Sequence, residues 1–290
     1  MSHLLDEIAS QPEVWRTAID AAATAQLPAP GERVAVVGCG SSLNVSRAYA
    51  RLREQAGHGL TDAYPASELT ATREYDHMVF ISRTGTTTEV LEALRQAPDG
   101  VITTSITADP DAALAQETGN VVLLDFADER SVVSSRFITS AIVLVRANLG
   151  EDLSALPEAA GVTVAMPLAP ELATRTEFTF LGRGWAAFVA DEAALKLREA
   201  SQTWAESYPA MEYRHGPISV SDENTVTWAI GEVPESLLAD TARTGATVIA
   251  AGGDPLTGLI GAQRLAVMLA ARKGIDPDQP RSLSRSVILA

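Results

Sequence analysis

Short apolar runs alternate with stretches of helical periodicity along most of this 290-residue chain. Val34–Val37, Met78–Ile81, Val101–Ile106 and Val121–Leu124 read as buried strands. Helical patterns run near Val45–Leu52, from Glu89 to about Ala97, and over Ser134–Leu149. Gly150 to Glu177 is rich in Pro, Ala and Glu without a strong period, and reads as a boundary. A second half follows: Phe178–Leu181 as strand, Gly182-Arg183-Gly184 as loop, and a long helix to Ser201. Thr225–Ile230 and Ala246–Ala251 are further strands, and Leu256–Lys273 a helix ending near Gly274. Strands alternating with helices predict βαβ units and parallel sheets. The reading is therefore α/β, with one domain at 1–150, opened by an N-terminal helix, and another at 151–290, closed by a C-terminal tail.

The loops carry the chemistry. Met78–Ile81 breaks into five hydroxyl residues, Ser82, Thr84, Thr86, Thr87 and Thr88, around Gly85, and a helix follows. A strand, a hydroxyl-rich glycine loop and a helix make an anion site, because free backbone N–H groups and the positive end of the helix dipole face the ligand. A cluster of helix-capping hydroxyls on a solvated turn explains the same residues. Val36-Val37-Gly38-Cys39-Gly40 and Phe180-Leu181-Gly182-Arg183-Gly184 echo one another, each at a strand end before a helix, which suggests two related halves. Neither is a dinucleotide fingerprint, since its third glycine would fall at Leu43 or Ala187. No Gly-Lys-Ser/Thr occurs either, so NAD and ATP drop out as leading ligands, and no cofactor is expected.

Composition narrows the classes. A 46% hydrophobic and 20% charged chain with no apolar run of 18 residues fits a soluble globular protein, with no membrane span. The N-terminus has acids where a signal peptide would be basic and then apolar, so the cytoplasm is the expectation. One cysteine, Cys39, excludes an internal disulfide framework and a multi-thiolate metal site. Thirty-seven acids against twenty-two bases give a net charge of −15, which argues against a nucleic-acid groove. An anionic ligand must then be held by local donors against the global field.

The second-half helix places Glu192, Lys196 and Glu199 at i, i+4 and i+7, so two carboxylates bracket one lysine on a single face. Exposed pairs of this kind are common on helix surfaces. The next segment, Ala205 to Pro217, adds Glu206, Glu212, Arg214 and His215 before a Gly-Pro turn. His3, His58 and His77 read as surface residues. A carboxylate near a lysine and a histidine offers a base, an electrostatic partner and a proton shuttle for abstraction beside a carbonyl. No spacing of His or Cys suggests a metal site.

At these residues the chain resembles the SIS (sugar isomerase) family, most closely the isomerase half of glucosamine-6-phosphate synthase and stand-alone phosphosugar isomerases and deaminases. The matching stretches include Gly38-Cys39-Gly40-Ser41-Ser42, Ser82-Arg83-Thr84-Gly85-Thr86-Thr87, Glu129-Arg130-Ser131-Val132 and Leu181-Gly182-Arg183-Gly184. Ala194-Leu195-Lys196-Leu197-Arg198-Glu199, His215-Gly216-Pro217 and the tail from Gln279 to Val287 complete the set. The resemblance implies tandem doubly wound α/β domains, a sugar-phosphate ligand, no cofactor, and a homodimer completing the site across subunits. It implies that Ser42, Ser82, Thr84 and Thr87 bind phosphate, with Ser41, Ser134 and Arg285 as further candidate contacts. Glu199 would move the proton between the carbons of an aldose–ketose pair, with or without loss of nitrogen. Lys196 would be its charge partner, and His215 would open the ring from the neighbouring subunit. Three departures stand out: the synthase's glutaminase domain is missing, Arg285 replaces a tail lysine that forms a Schiff base, and Arg83 replaces a glutamine. A guanidinium stays protonated and cannot form that imine. Arg83 would bind an anion more strongly, or recognise a second acidic group. A non-catalytic sugar-phosphate sensor is the alternative.

Overall fold

The computed structural model describes residues 2–70, 73–250 and 252–289. It divides into two compact units: Ser10–Arg130 with Ser134–Pro157 and Ser284–Ala290, and Glu158–Leu283 with Met1–Ala9 and Ser131–Val133. Each half thus holds one terminus of the other, an exchange that the reading of 1–150 and 151–290 did not contain.

The first sheet takes β1 (Val34–Gly38), β2 (Thr61–Pro65), β3 (His77–Ile81), β4 (Ile102–Thr107) and β5 (Asn120–Leu123) in the order β2-β1-β3-β4-β5, all parallel. β1 and β3 are buried at every position, as strands covered on both faces must be. Around them run α1 (His3–Ala21), α2 (Ser41–Gln55), α3 (Thr88–Arg95), α4 (Ala113–Glu117) and α5 (Arg136–Asn148). Ala35, Val37, Met78 and Phe80 meet Val90, Leu94 and Leu114 in one apolar cluster.

The second sheet takes β6 (Glu177–Gly182), β7 (Trp204–Pro209), β8 (Thr225–Ile230) and β9 (Thr247–Ala250) in the order β7-β6-β8-β9, again parallel. The expected last residue of β9, Ala251, lies outside the described residues. With α6 (Leu156–Ala165), α7 (Ala186–Ser201), α8 (Glu235–Ala242) and α9 (Pro255–Lys273), this sheet repeats the strand order of the first without its fifth strand. In both, the chain crosses to the outer strand and returns past the first, so a switch point opens beside β1 and beside β6.

The glycine echo has a shared physical cause. A Cβ on Gly38 would lie 2.7 Å from the backbone of Ser42, and one on Gly182 only 2.2 Å from that of Ala186. Each glycine ends its strand where the first turn of the next helix packs against it. The stretch expected to be a boundary holds the division between Pro157 and Glu158, and it also carries α6. Strands β2 and β7, absent from the hydrophobic pattern, are edge strands with mostly half-exposed residues, so they carry no apolar run.

Candidate functional site

In the unit of the first sheet, the loop from β3 to α3 folds around its own hydroxyls. The Gly85 N–H donates to Ser82 Oγ at 3.2 Å, and the Ser82 and Thr87 hydroxyls lie 3.4 Å apart. Gly85 has φ of 61°, and a Cβ there would meet the Ala112 Cβ at 2.6 Å, so only glycine turns this corner. Ser41 and Ser42 begin α2 just beyond Gly40, at the same ends of the strands. Helix starts and hydroxyls therefore collect at the carboxyl edge of the sheet, beside its switch point, where phosphate is most readily held.

The C-terminal tail lies on this loop. The Thr86 hydroxyl donates to Ser286 Oγ at 2.9 Å and the Thr84 hydroxyl to the same atom at 3.3 Å. Thr88 N–H donates to the Val287 carbonyl at 3.1 Å, and Leu289 N–H to Thr88 Oγ1 at 3.0 Å. Arg285 holds the tail down with a two-oxygen contact to Asp128, at 2.6 and 2.8 Å.

Arg83, expected to face an anion, instead lies buried against Glu129, with Nη1 at 2.6 Å from the carboxylate. Glu129 also accepts from the Ser134 hydroxyl at 2.8 Å, from Ser135 N–H and Oγ at 2.5 and 3.0 Å, and from Phe137 N–H at 3.2 Å. It thereby satisfies the start of α5. Burial alone would push its carboxyl up, but Arg83 and the serine donors overcome this and hold it below the usual carboxylate range. Ser134, a candidate substrate contact, is engaged in the same cluster.

In the unit of the second sheet, α7 carries the acid–base set. Lys196 Nζ lies 3.0 Å from Glu192 Oε1 and 2.6 Å from Glu199 Oε2. The spacing read from the sequence is correct, but the face is not a solvated one: the Lys196 and Glu192 side chains are 1% and 2% exposed. Burial would lower the Lys196 pKa, yet the two flanking carboxylates raise it above the ordinary lysine value, so the ammonium is permanent near neutrality. Glu199, 20% exposed, opens into a cavity of about 420 Å³ lined also by Leu195, Trp204, Arg281 and Leu283. A carboxylate placed between a fixed cation and open space can take up and return a proton.

The dense polar segment after α7 does not gather around Lys196. Glu206 accepts from the Tyr208 hydroxyl at 2.8 Å; burial and then this carboxylate push the phenol up to about 12. Arg214 pairs with Asp240 at 2.5 Å. His215 is exposed and makes no hydrogen bond or ion pair among the described residues. His77, read as a surface residue, is buried 2.7 Å from Thr104 Oγ1. Glu129, Ser286 and Arg281 were not among the expected site residues, although Glu129 and the tail lie within stretches that carry the resemblance.

Residues 29–147 match the SIS domain model. The chain is 27% identical over 293 residues to a glutamine–fructose-6-phosphate aminotransferase (isomerizing) of Sulfolobus acidocaldarius, covering 88% of this chain and 50% of that protein. It spans about half the length of the curated relatives it matches. A solved glucosamine-6-phosphate deaminase from Thermotoga maritima superposes with a TM-score of 0.83 at 26% identity, covering 99% of this chain and 100% of that one. Tagatose-6-phosphate ketose/aldose isomerase from Escherichia coli shares the fold, with a TM-score of 0.79 at 20% identity over 100% of this chain and 96% of its own. No helix among the described residues is long and apolar enough to cross a membrane.

Proposed function

The chain belongs to the SIS domain family, and from that premise we propose that it is a cofactor-independent phosphosugar isomerase. The observation that carries this reading is Glu199, held against the buried Lys196 ammonium and open to a cavity. Abstraction of a proton beside a carbonyl needs a carboxylate within reach of carbon and a nearby positive charge for the enediolate that forms. Glu199 would take the proton from one carbon and return it to the next. Ser42, Ser82, Thr84 and Thr87, with Ser41 beside them, would anchor the phosphate through hydroxyls and helix N–H groups, which fits a chain whose overall charge opposes anions. His215 would act from the neighbouring subunit of a homodimer, which fits its exposure and its lack of side-chain partners among the described residues. Arg285 and Arg83 take no chemical step here, since each guanidinium is paired with a carboxylate.

Incubation with fructose 6-phosphate and glucosamine 6-phosphate in D₂O tests this directly. Solvent deuterium should enter at C1 or C2, and Glu199→Gln should lower that rate by about 100-fold or more. Exchange as fast in the variant as in the wild type sinks the assignment. Stabilisation of the fold by sugar phosphate without any exchange would point to a sensor instead.

A further inference from the structure

Donors converge on both oxygens of the Glu129 carboxylate, and the two oxygens do different work. Oε1 accepts from Ser135 N–H and Oγ and from Phe137 N–H, all at the start of α5. Oε2 accepts from Arg83 Nη1 at 2.6 Å and from the Ser134 hydroxyl at 2.8 Å. The guanidinium comes from the hydroxyl loop, and that loop is pinned at the same residue. The Arg83 carbonyl accepts from Ala108 N–H at 3.0 Å and from Thr107 Oγ1 at 3.2 Å. The Glu129 and Arg83 side chains are 0% and 7% exposed, whereas Ser134 keeps part of its surface open. The Ser134 hydroxyl makes no other hydrogen bond among the described residues. A hydroxyl has one proton and two lone pairs. Given to an ionised carboxylate, that proton is committed, because a charge-assisted bond is about twice as strong as a neutral one. What Ser134 has left to offer a ligand is lone pairs. Arg83 is the charge that keeps Glu129 ionised against its burial, so the guanidinium sets the direction of the Ser134 proton.

We propose that Arg83 and Glu129 are positioning residues that hold Ser134 as a hydrogen-bond acceptor, so that the site selects a sugar hydroxyl where Ser134 faces the ligand and rejects a carbonyl or ether oxygen there. The inference rests on Ser134 meeting the sugar phosphate of the proposed reaction. A ligand O–H supplies the proton that Ser134 lacks. An oxygen without a proton would set lone pair against lone pair and leave both unpaired. The same carboxylate oxygen ties this choice to the anion loop. Arg83 anchors the loop to Glu129 from one side, and Ser134 is aimed by Glu129 from the other.

Glucitol 6-phosphate, an open-chain ligand with no carbonyl, reads binding without any proton transfer. It is compared by titration calorimetry with analogues in which fluorine replaces one hydroxyl at a time, keeping its size but giving no proton. In the wild type one analogue should bind about tenfold more weakly than the parent, and Ser134→Ala should abolish that difference. Arg83→Lys keeps the charge and should keep the difference from about pH 8 down to about pH 5.5. In Arg83→Gln the buried carboxyl loses its counter-charge, takes up a proton as pH falls, and donates it to Ser134, which turns the serine proton towards the ligand. The difference should then be present at about pH 8 and fade by about pH 5.5, which a merely loosened loop would not produce. Failure of glucitol 6-phosphate to bind, a series with no weakened member, or a penalty that survives Ser134→Ala overturns the proposal. So does its loss in Arg83→Lys, or a penalty in Arg83→Gln that ignores pH. Ser134→Ala and Arg83→Lys decide the matter even where the glutamine variant does not fold. Deuterium exchange into fructose 6-phosphate is read alongside. Exchange without the Ser134-dependent penalty strikes this inference and leaves the isomerase reading; the penalty without exchange strikes only the proton-transfer role of Glu199.

Discussion

Arg83 and Lys196 show how far a charged side chain depends on its partner. From the sequence, Arg83 in a hydroxyl loop reads as an anion ligand; in the fold it neutralises Glu129, whose side chain is fully buried. Replacing it with glutamine leaves a carboxylate without its counter-charge in the interior. Arg83→Gln should therefore lose roughly 3 kcal/mol of unfolding free energy in urea, and a loss below about 1 kcal/mol would contradict the pairing. Arg285 makes the same kind of contact at the surface, with both partners about half exposed. Arg285→Ala should change global stability by no more than about 1 kcal/mol, measured in the same way. The spacing of Glu192, Lys196 and Glu199 was legible, because helical geometry brings i, i+4 and i+7 together. Their burial was not: it depends on what packs over α7, and a charged triplet carries no mark of its own exposure.

At the scale of elements, the interior strands and the edge strands β5 and β9 were legible, and the edge strands β2 and β7 were not. β1, β3, β6 and β8 are covered on both faces, so each leaves an apolar run in the sequence. β2 and β7 pair on one side only and keep polar residues, which conceals them. The echoed glycines, by contrast, were visible as a motif before their cause was known. Since the first turn of the following helix sits where a Cβ would go, the backbone must shift to admit one. Gly182→Ala and Gly38→Ala should each cost about 2 kcal/mol or more, read from urea midpoints at unchanged m-value. A neutral substitution at either position would mean that the strand–helix junction is looser than its contacts imply.

For the whole molecule, two buried groups contribute to the acid limb of stability. Burial lowers the His77 pKa below the ordinary 6.5, against a weaker opposing pull from Glu32. As pH falls through about 6.5 the unfolded chain takes up a proton that the folded chain refuses, so stability declines from there downward. Glu129, held below its ordinary 4.5, contributes stability that is complete above that pH and lost as pH falls further. Both effects have the same sign. Unfolding free energy should fall in two stages on acidification, and His77→Gln should flatten the first; a slope between about pH 6.5 and 5 that survives in this variant would assign it elsewhere.

The sequence alone determined the α/β class, the two related halves, the glycine corners, the hydroxyl loop and the helical alignment of Glu192, Lys196 and Glu199. These follow from local periodicity and from backbone conformations that few residues adopt. Tertiary structure alone decided that Arg83 faces Glu129, that the tail lies on the hydroxyl loop, that His77 is buried and that Arg281 faces a cavity. Those are contacts between residues distant in the chain, and local pattern does not encode which distant group will meet a given charge.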